Sequence, residues 1–252
     1  MPTRQSAARD PAKPASHFSK VAGLYRQQIT AAMTLNSHAV LGHIADTHVR
    51  AARALYSAGA PVAECLVQLA GAASFFTQDM AASRTHPHPG LPNIEFFIES
   101  LGAACLCDDI VSCTQAFRTA NIQNVPAWQQ SVLALVVTVF EGKTTLPQGF
   151  DLQGAPSEWA PLFTDMFLVV MRKDHAAFPE ALEAYFRERW GPSADRVARR
   201  DIAAKPSPYV GKWAFHSAAL CKLMGGVPPL SKKVLQYVPA ELACPTIAPP
   251  ST

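Results

Sequence analysis

Apolar residues recur in steps of three and four along most of the chain. The clearest case runs Val62, Leu66, Leu69, Ala73, Phe76 and Met80 behind Pro61. That spacing lays one apolar stripe on a helix, and proline is tolerated at its start because the first backbone N–H groups have no partner within the helix. Just upstream, Leu41, Ile44, His48, Ala52 and Leu55 repeat the pattern as far as Gly59, a residue suited to ending a helix. Two stripes joined by a short turn predict a helical hairpin.

The set Ile94, Phe97, Ile98, Leu101 and Cys105 forms a further stripe. It leaves Glu95 and Glu99, four apart, on a different face that is expected to meet solvent. Trp128–Phe140 is apolar nearly all round and predicts a central helix buried on several sides; its valines keep a buried strand as the competing reading. After a loop from Gly142 to Pro156, Trp159–Met171 and Phe178–Trp190 predict a helical pair, the second with Phe178, Leu182, Tyr185 and Phe186 as its inner face. Ser193–Asp201 is short and basic. Tyr209, Trp213, Ser217, Leu220 and Met224 predict a last helix, opened by Pro206 and Pro208 and closed by Gly225 and Gly226. Its tail, with Pro228, Pro229 and Pro239, is irregular. No alternating strand pattern, hairpin signal or internal repeat competes. The expectation is an all-α fold, a single bundle of antiparallel helix pairs with about eight to ten helices.

At 49% hydrophobic and 16% charged residues, the 252-residue chain is too apolar for disorder. The exception is residues 1–16, where Arg4, Arg9, Asp10, Lys13, Pro11 and Pro14 predict a disordered tail ahead of one domain over 17–252. That tail has no apolar core of a secretory signal, and the longest apolar runs, Val132–Phe140 and Met166–Met171, fall far short of the roughly 20 residues of a membrane span. Six cysteines without a CxxC pair fit reduced thiols and a cytoplasmic protein, although the even count leaves disulfides open. The net charge of +3 is unevenly spread: residues 1–35 carry five basic and one acidic residue, 36–170 five and eleven, and 171–252 twelve and seven. The middle of the chain is acidic.

His38, His43 and His48 invite a metal reading, but steps of five residues turn about 140° on a helix and point them in three directions. His48 lies on the apolar stripe and reads as a hydrogen-bonded core residue. His43 with Asp46, three apart, remains a candidate for a metal site completed by another helix. His86 and His88 flank Pro87 in a stiff surface loop, and Cys105, Cys107 and Cys113 lack zinc-ribbon spacing. No hydrolase elbow, phosphate loop, dinucleotide fingerprint or His-Glu-x-x-His occurs, so no catalytic residue and no cofactor is assigned. Asp108 and Asp109 precede a helix through Val111, Thr114 and Phe117, where they favour its positive end or serve a partner. Arg196, Arg199 and Arg200 read as a solvated helix face, since no aromatic platform accompanies them.

The stretch Tyr-Val-Gly-Lys-Trp-Ala-Phe-His-Ser-Ala-Ala-Leu-Cys-Lys-Leu at 209–223, followed by Leu230, Tyr237, Pro239 and Leu242, resembles the C-terminal motif of the polymorphic nuclease immunity (PoNi) family. Tyr209, Gly211, Trp213, Phe215, Ala218, Ala219 and Leu220 match its Tyr-x-Gly-x-Trp-x-Phe start and Ala-rich helix. The chain departs from the pattern at His216, where the family commonly has an acidic residue, and at Gly226–Pro229, where it has an acidic stretch. The likeness covers residues 209–242 within a candidate motif region of 205–242. It implies an all-helical cytoplasmic immunity protein that binds a cognate antibacterial toxin directly, blocking its active site or its access to substrate. No cofactor, direct nucleic-acid contact or membrane is implied, and homo-oligomerisation stays open.

An acidic face complements a toxin that must itself bind nucleic acid. The candidate partner-binding residues are therefore Glu95, Glu99, Asp108, Asp109, Glu141 and Asp151. A metal-dependent helical-bundle enzyme using His43 and Asp46, and a helical scaffold for an unrelated protein, are the alternatives.

Overall fold

Prolines mark where three of the helices begin. Pro14, Pro61 and Pro126 each occupy the position before the first helical residue, with extended ψ angles of 156°, 142° and 142°. The computed structural model describes residues 9–35, 37–84, 94–122, 125–155 and 160–243. Its helices are α1 (Ala15–Met33), α2 (Leu41–Ser57), α3 (Val62–Ala82), α4 (Ile94–Leu106), α5 (Ile110–Arg118), α6 (Ala127–Phe140), α7 (Ala160–Met171), α8 (Phe178–Tyr185), α9 (Gly191–Ala203), α10 (Phe215–Leu223), α11 (Lys232–Leu235) and α12 (Ala240–Ala243). Of the described residues 68% are helical and none is in a strand. The fold is all-α. Counting the run from α8 to α9 as one helix gives eleven, nine of them seven residues or longer.

The α2–α3 hairpin forms as its stripes require: Ala52 and Leu55 share one core with Leu69, Ala73, Phe76 and Met80, and Ile44 is buried as well. The valine-rich stretch is the helix α6, buried from Val132 to Phe140 except at Ala134. The hub, however, is α4, which touches α2, α3, α5, α6 and α10. Phe97 on α4 packs edge to face between Phe76 of α3 and Phe117 of α5, each ring centroid 4.8 Å away, the quadrupole-favoured arrangement for aromatic pairs.

From Phe178 the chain stays helical to Ala203, but it widens into a π turn at Phe186–Trp190. There the Gly191 N–H bonds the Phe186 carbonyl, five residues back. Pro192 follows and has no N–H to offer the regular ladder. Five cysteines, Cys65, Cys105, Cys107, Cys113 and Cys221, are free thiols, and Cys244 lies outside the described residues. Among the described residues no helix is long and apolar enough to cross a membrane.

Two expectations are corrected. The last helix does not include Tyr209 or Trp213: residues 207–214 form a connecting segment without regular secondary structure, and α10 begins only at Phe215. Gly211, at φ +102°, takes a backbone conformation that a side chain resists, and the Ala214 N–H bonds the Tyr237 carbonyl at 2.9 Å instead of a helical neighbour. The helix end is as predicted, with Gly225 and Gly226 at positive φ. The second correction concerns the tail expected over 1–16. Residues 1–8 lie outside the described set, but from Arg9 onward the segment is docked: Arg9 donates to the Tyr56 and Ala60 carbonyls and pairs with Glu241 at 3.0 Å, and Asp10 is buried.

Candidate functional site

Where α4 crosses α10 the two backbones nearly touch. A Cβ added to Gly102 would lie 2.7 Å from the Cα of His216, so only glycine allows this approach. Glu99 sits one turn earlier on the same face of α4 and is carried to the start of α10. One carboxylate oxygen accepts the Phe215 N–H at 2.9 Å, which satisfies a helix-start donor and places negative charge at the positive end of the helix. The same oxygen meets Arg53 of α2 at 3.4 Å; the other is hydrogen-bonded to Nδ1 of His216. His216 Nε2 in turn meets the Tyr185 hydroxyl at 3.2 Å.

Glu99 and His216 are only 3% and 1% exposed. This overturns the expectation that Glu99 faces solvent, because four-residue spacing from Glu95 says nothing about what packs over the helix. Burial pushes the Glu99 carboxyl upward, but the charges of His216 and Arg53 and hydrogen bonds from His216 and the Phe215 N–H outweigh it and hold the pKa below the ordinary value. Burial, reinforced by Glu95 and Glu99, drives the Tyr185 phenol well above its ordinary range.

The motif aromatics surround this network, each polar end partnered. Trp213 donates from Nε1 to Ser57 Oγ at 2.8 Å, and Ser57 donates to the Val210 carbonyl. Tyr209 donates to Asp10 at 2.7 Å, and its carbonyl meets His17 at 3.1 Å. Arg53 donates from Nε to the Trp213 carbonyl at 2.8 Å. Above Arg53 and Glu99 opens a cleft of about 260 Å³, walled by α2, the start of α4, α9 and the connecting segment 209–212, with Trp190 and Phe96 among its apolar lining. Its charges are interleaved: Asp46 with Arg50 at 2.7 Å and Arg200 with Asp201 at 2.9 Å line it, and Glu95 pairs with Arg189 at 3.3 Å.

The six acidic candidates do not converge. Glu95 and Glu99 share the cleft, at its rim and beneath its floor. Asp108 and Asp109 lie at the far end of α4, about 20 Å along the helix axis from Glu95. Asp108 is 86% exposed yet bonded to Lys222, which also caps the Cys105 and Leu106 carbonyls. Asp109 precedes α5 in the N-cap position, and its side chain makes no cap hydrogen bond. Glu141, at the end of α6, holds Arg118 and Lys143. Burial raises its pKa, but hydrogen bonds from Arg118, Lys143 and Thr114 prevail and bring it down to about 2. Asp151 is exposed and accepts the Gln153 N–H.

His48 is hydrogen-bonded to Gln68 at 3.0 Å and stacked on Phe75; burial lowers its pKa against the opposing pull of that hydrogen bond. His43 is exposed and Asp46 is engaged by Arg50, and among the described residues no three histidine, cysteine or acidic side chains gather as metal ligands. His86 and His88 lie outside the described residues. Sequence reasoning missed Arg53, Tyr185 and His216 as one network. Its one local signal was that Glu99 and His216 each sit among small and apolar residues, in the stretches Phe96–Cys105 and Trp213–Cys221. No known protein family, curated protein or solved structure matches the chain.

Proposed function

We propose that the protein is an immunity-type binder that neutralises a toxic protein by direct association. The observation that carries this reading is the Tyr209–Leu242 motif. Its aromatic residues are buried and brace the connecting segment and α10 against α2 and α4, as a fold-defining motif should. The Glu99–His216–Tyr185 chain is read as structural, since Glu99 and His216 are almost wholly buried and bonded to one another. Recognition then falls to exposed surface. The exposed Asp108 and Asp151 and the partly exposed Asp109, Glu95 and Glu141 are separate carboxylates that a cationic toxin surface could engage, and complementary charge accelerates encounter. Glu99 is withdrawn from the set.

Co-expression with the toxin of the neighbouring reading frame should restore growth, and the two proteins should co-purify. Failure of the wild-type chain to protect or to bind refutes the reading. Reversing Asp108, Asp109 and Asp151 together to lysine should slow association and reduce its salt dependence; unchanged kinetics would remove these carboxylates from the interface and leave the binding function standing.

A further inference from the structure

We propose that α9 is a docking ridge for an acidic segment of the partner protein, an inference that rests on the binding function above. Of its 13 residues only Gly191 and Ala198 are buried. The helix is tied down at Asp195, which accepts from Lys212 at 2.9 Å and Tyr237 at 3.1 Å, and along Ala198 and Ile202, which pack near Phe18 and Tyr209. A cleft runs on each side of it. Ser193, Val197 and Arg200 wall the 260 Å³ cleft already described; Asp195, Arg199 and Ile202 wall a second of about 430 Å³. These sets follow the three-to-four spacing of two helix faces, and Arg196 stands on the crest between them.

Two of the three arginines on this helix are uncommitted. Arg200 is paired with Asp201, whereas Arg196 and Arg199 are exposed and meet no carboxylate among the described residues. Val197, 43% exposed, adds an apolar contact beside them. A ridge with a trench on either side fits chain segments that straddle it, and its cations call for carboxylates. A nucleic-acid backbone fits worse, because both trenches are mixed in charge: Asp46, Glu95, Glu99 and Asp201 stand among the cations of one, and Asp10 and Asp195 among those of the other, so a continuous row of phosphates would meet carboxylates. A protein segment can place discrete carboxylates over Arg196 and Arg199 and avoid those positions.

The test is calorimetric titration of the full-length protein with the neighbouring toxin, comparing wild type, Arg196→Glu/Arg199→Glu and Arg196→Gln/Arg199→Gln. Both substitutions are on exposed positions, and unchanged melting curves verify folding. The expected result is a loss of affinity of at least about thirtyfold for the glutamate pair and a smaller loss for the glutamine pair. Unchanged affinity of the glutamate pair overturns the docking ridge while the binding function stands. Absence of wild-type binding overturns both. A short DNA duplex that wild type binds and the glutamate pair does not, with toxin affinity unaltered, overturns it in favour of nucleic acid.

Discussion

Glu99 shows how a single carboxylate can tie three helices. It receives Arg53 from α2 and His216 and the Phe215 N–H from α10, while itself belonging to α4. Replacing it by glutamine leaves the Arg53 guanidinium without its buried counter-charge, and breaking such a pair costs about 3–5 kcal/mol. Glu99→Gln should therefore lower the melting temperature by roughly 6–20 °C for a chain of this size. The pH dependence has a definite sign. Because the folded Glu99 pKa lies below the ordinary value of 4.5, its contribution is complete above pH 4.5 and is lost as the pH falls through the folded value. Glu141 acts the same way between 4.5 and about 2. Urea midpoints of the wild type should fall on acidification below pH 4.5, and Glu99→Gln should show a shallower fall. An equal slope in the two proteins would show that the carboxylate is not stabilised as described.

Among the elements, the crossing of α4 and α10 makes the sharpest demand on sequence. Gly102→Ala would drive a methyl into the His216 backbone, 2.7 Å from its Cα, and should destabilise the protein by about 1–3 kcal/mol. Gly23→Ala, on α1 where nothing lies within 4 Å, should instead stabilise by about 0.5–1 kcal/mol through helix propensity. Denaturant titration of the two variants checks both signs. The same elements show what the sequence made legible. The α2, α3 and α4 stripes were readable because their apolar spacing matches the helical turn, and the stripe residues do pack, although α4 is buried on its other faces too. Tyr209 and Trp213 misled because a spacing of four fits one helical turn and also two strand repeats. The structure takes neither course: the segment is irregular up to Ala214, with Gly211 at φ +102°, and Tyr209, Val210, Trp213 and Ala214 are all buried. The buried network was hidden for another reason. Glu99 is separated from Arg53 by 46 positions and from His216 by 117, so no local window contains the groups that neutralise it.

In the whole molecule, the two described ends of the chain are tied together. Arg9 reaches Glu241 on α12, Asp10 takes the Tyr209 hydroxyl, and His17 meets the Tyr209 carbonyl. The buried Asp10–Tyr209 bond to a charged acceptor is worth about 1.5–3 kcal/mol; the Arg9–Glu241 pair, half open to solvent, adds less. An Arg9→Ala/Asp10→Asn variant should raise amide hydrogen exchange across 209–214 and 240–243 by about tenfold or more, with α3 to α6 unchanged. Exchange rising equally throughout would mean that these contacts support the whole bundle rather than its closure.

The placement of His216 far downstream of Glu99 also gives the protein a history on the ribosome. At translation speeds of roughly 5–20 residues per second, the 117 positions between them occupy about 6–23 s. During that interval the nascent bundle holds an unfilled slot beside Gly102 and a carboxylate that lacks two of its three partners. The segment that fills the slot is made after the helices it packs on, so a chain interrupted before Tyr209 exposes the apolar faces that α10 would cover, which is the kind of surface that chaperones and proteases recognise.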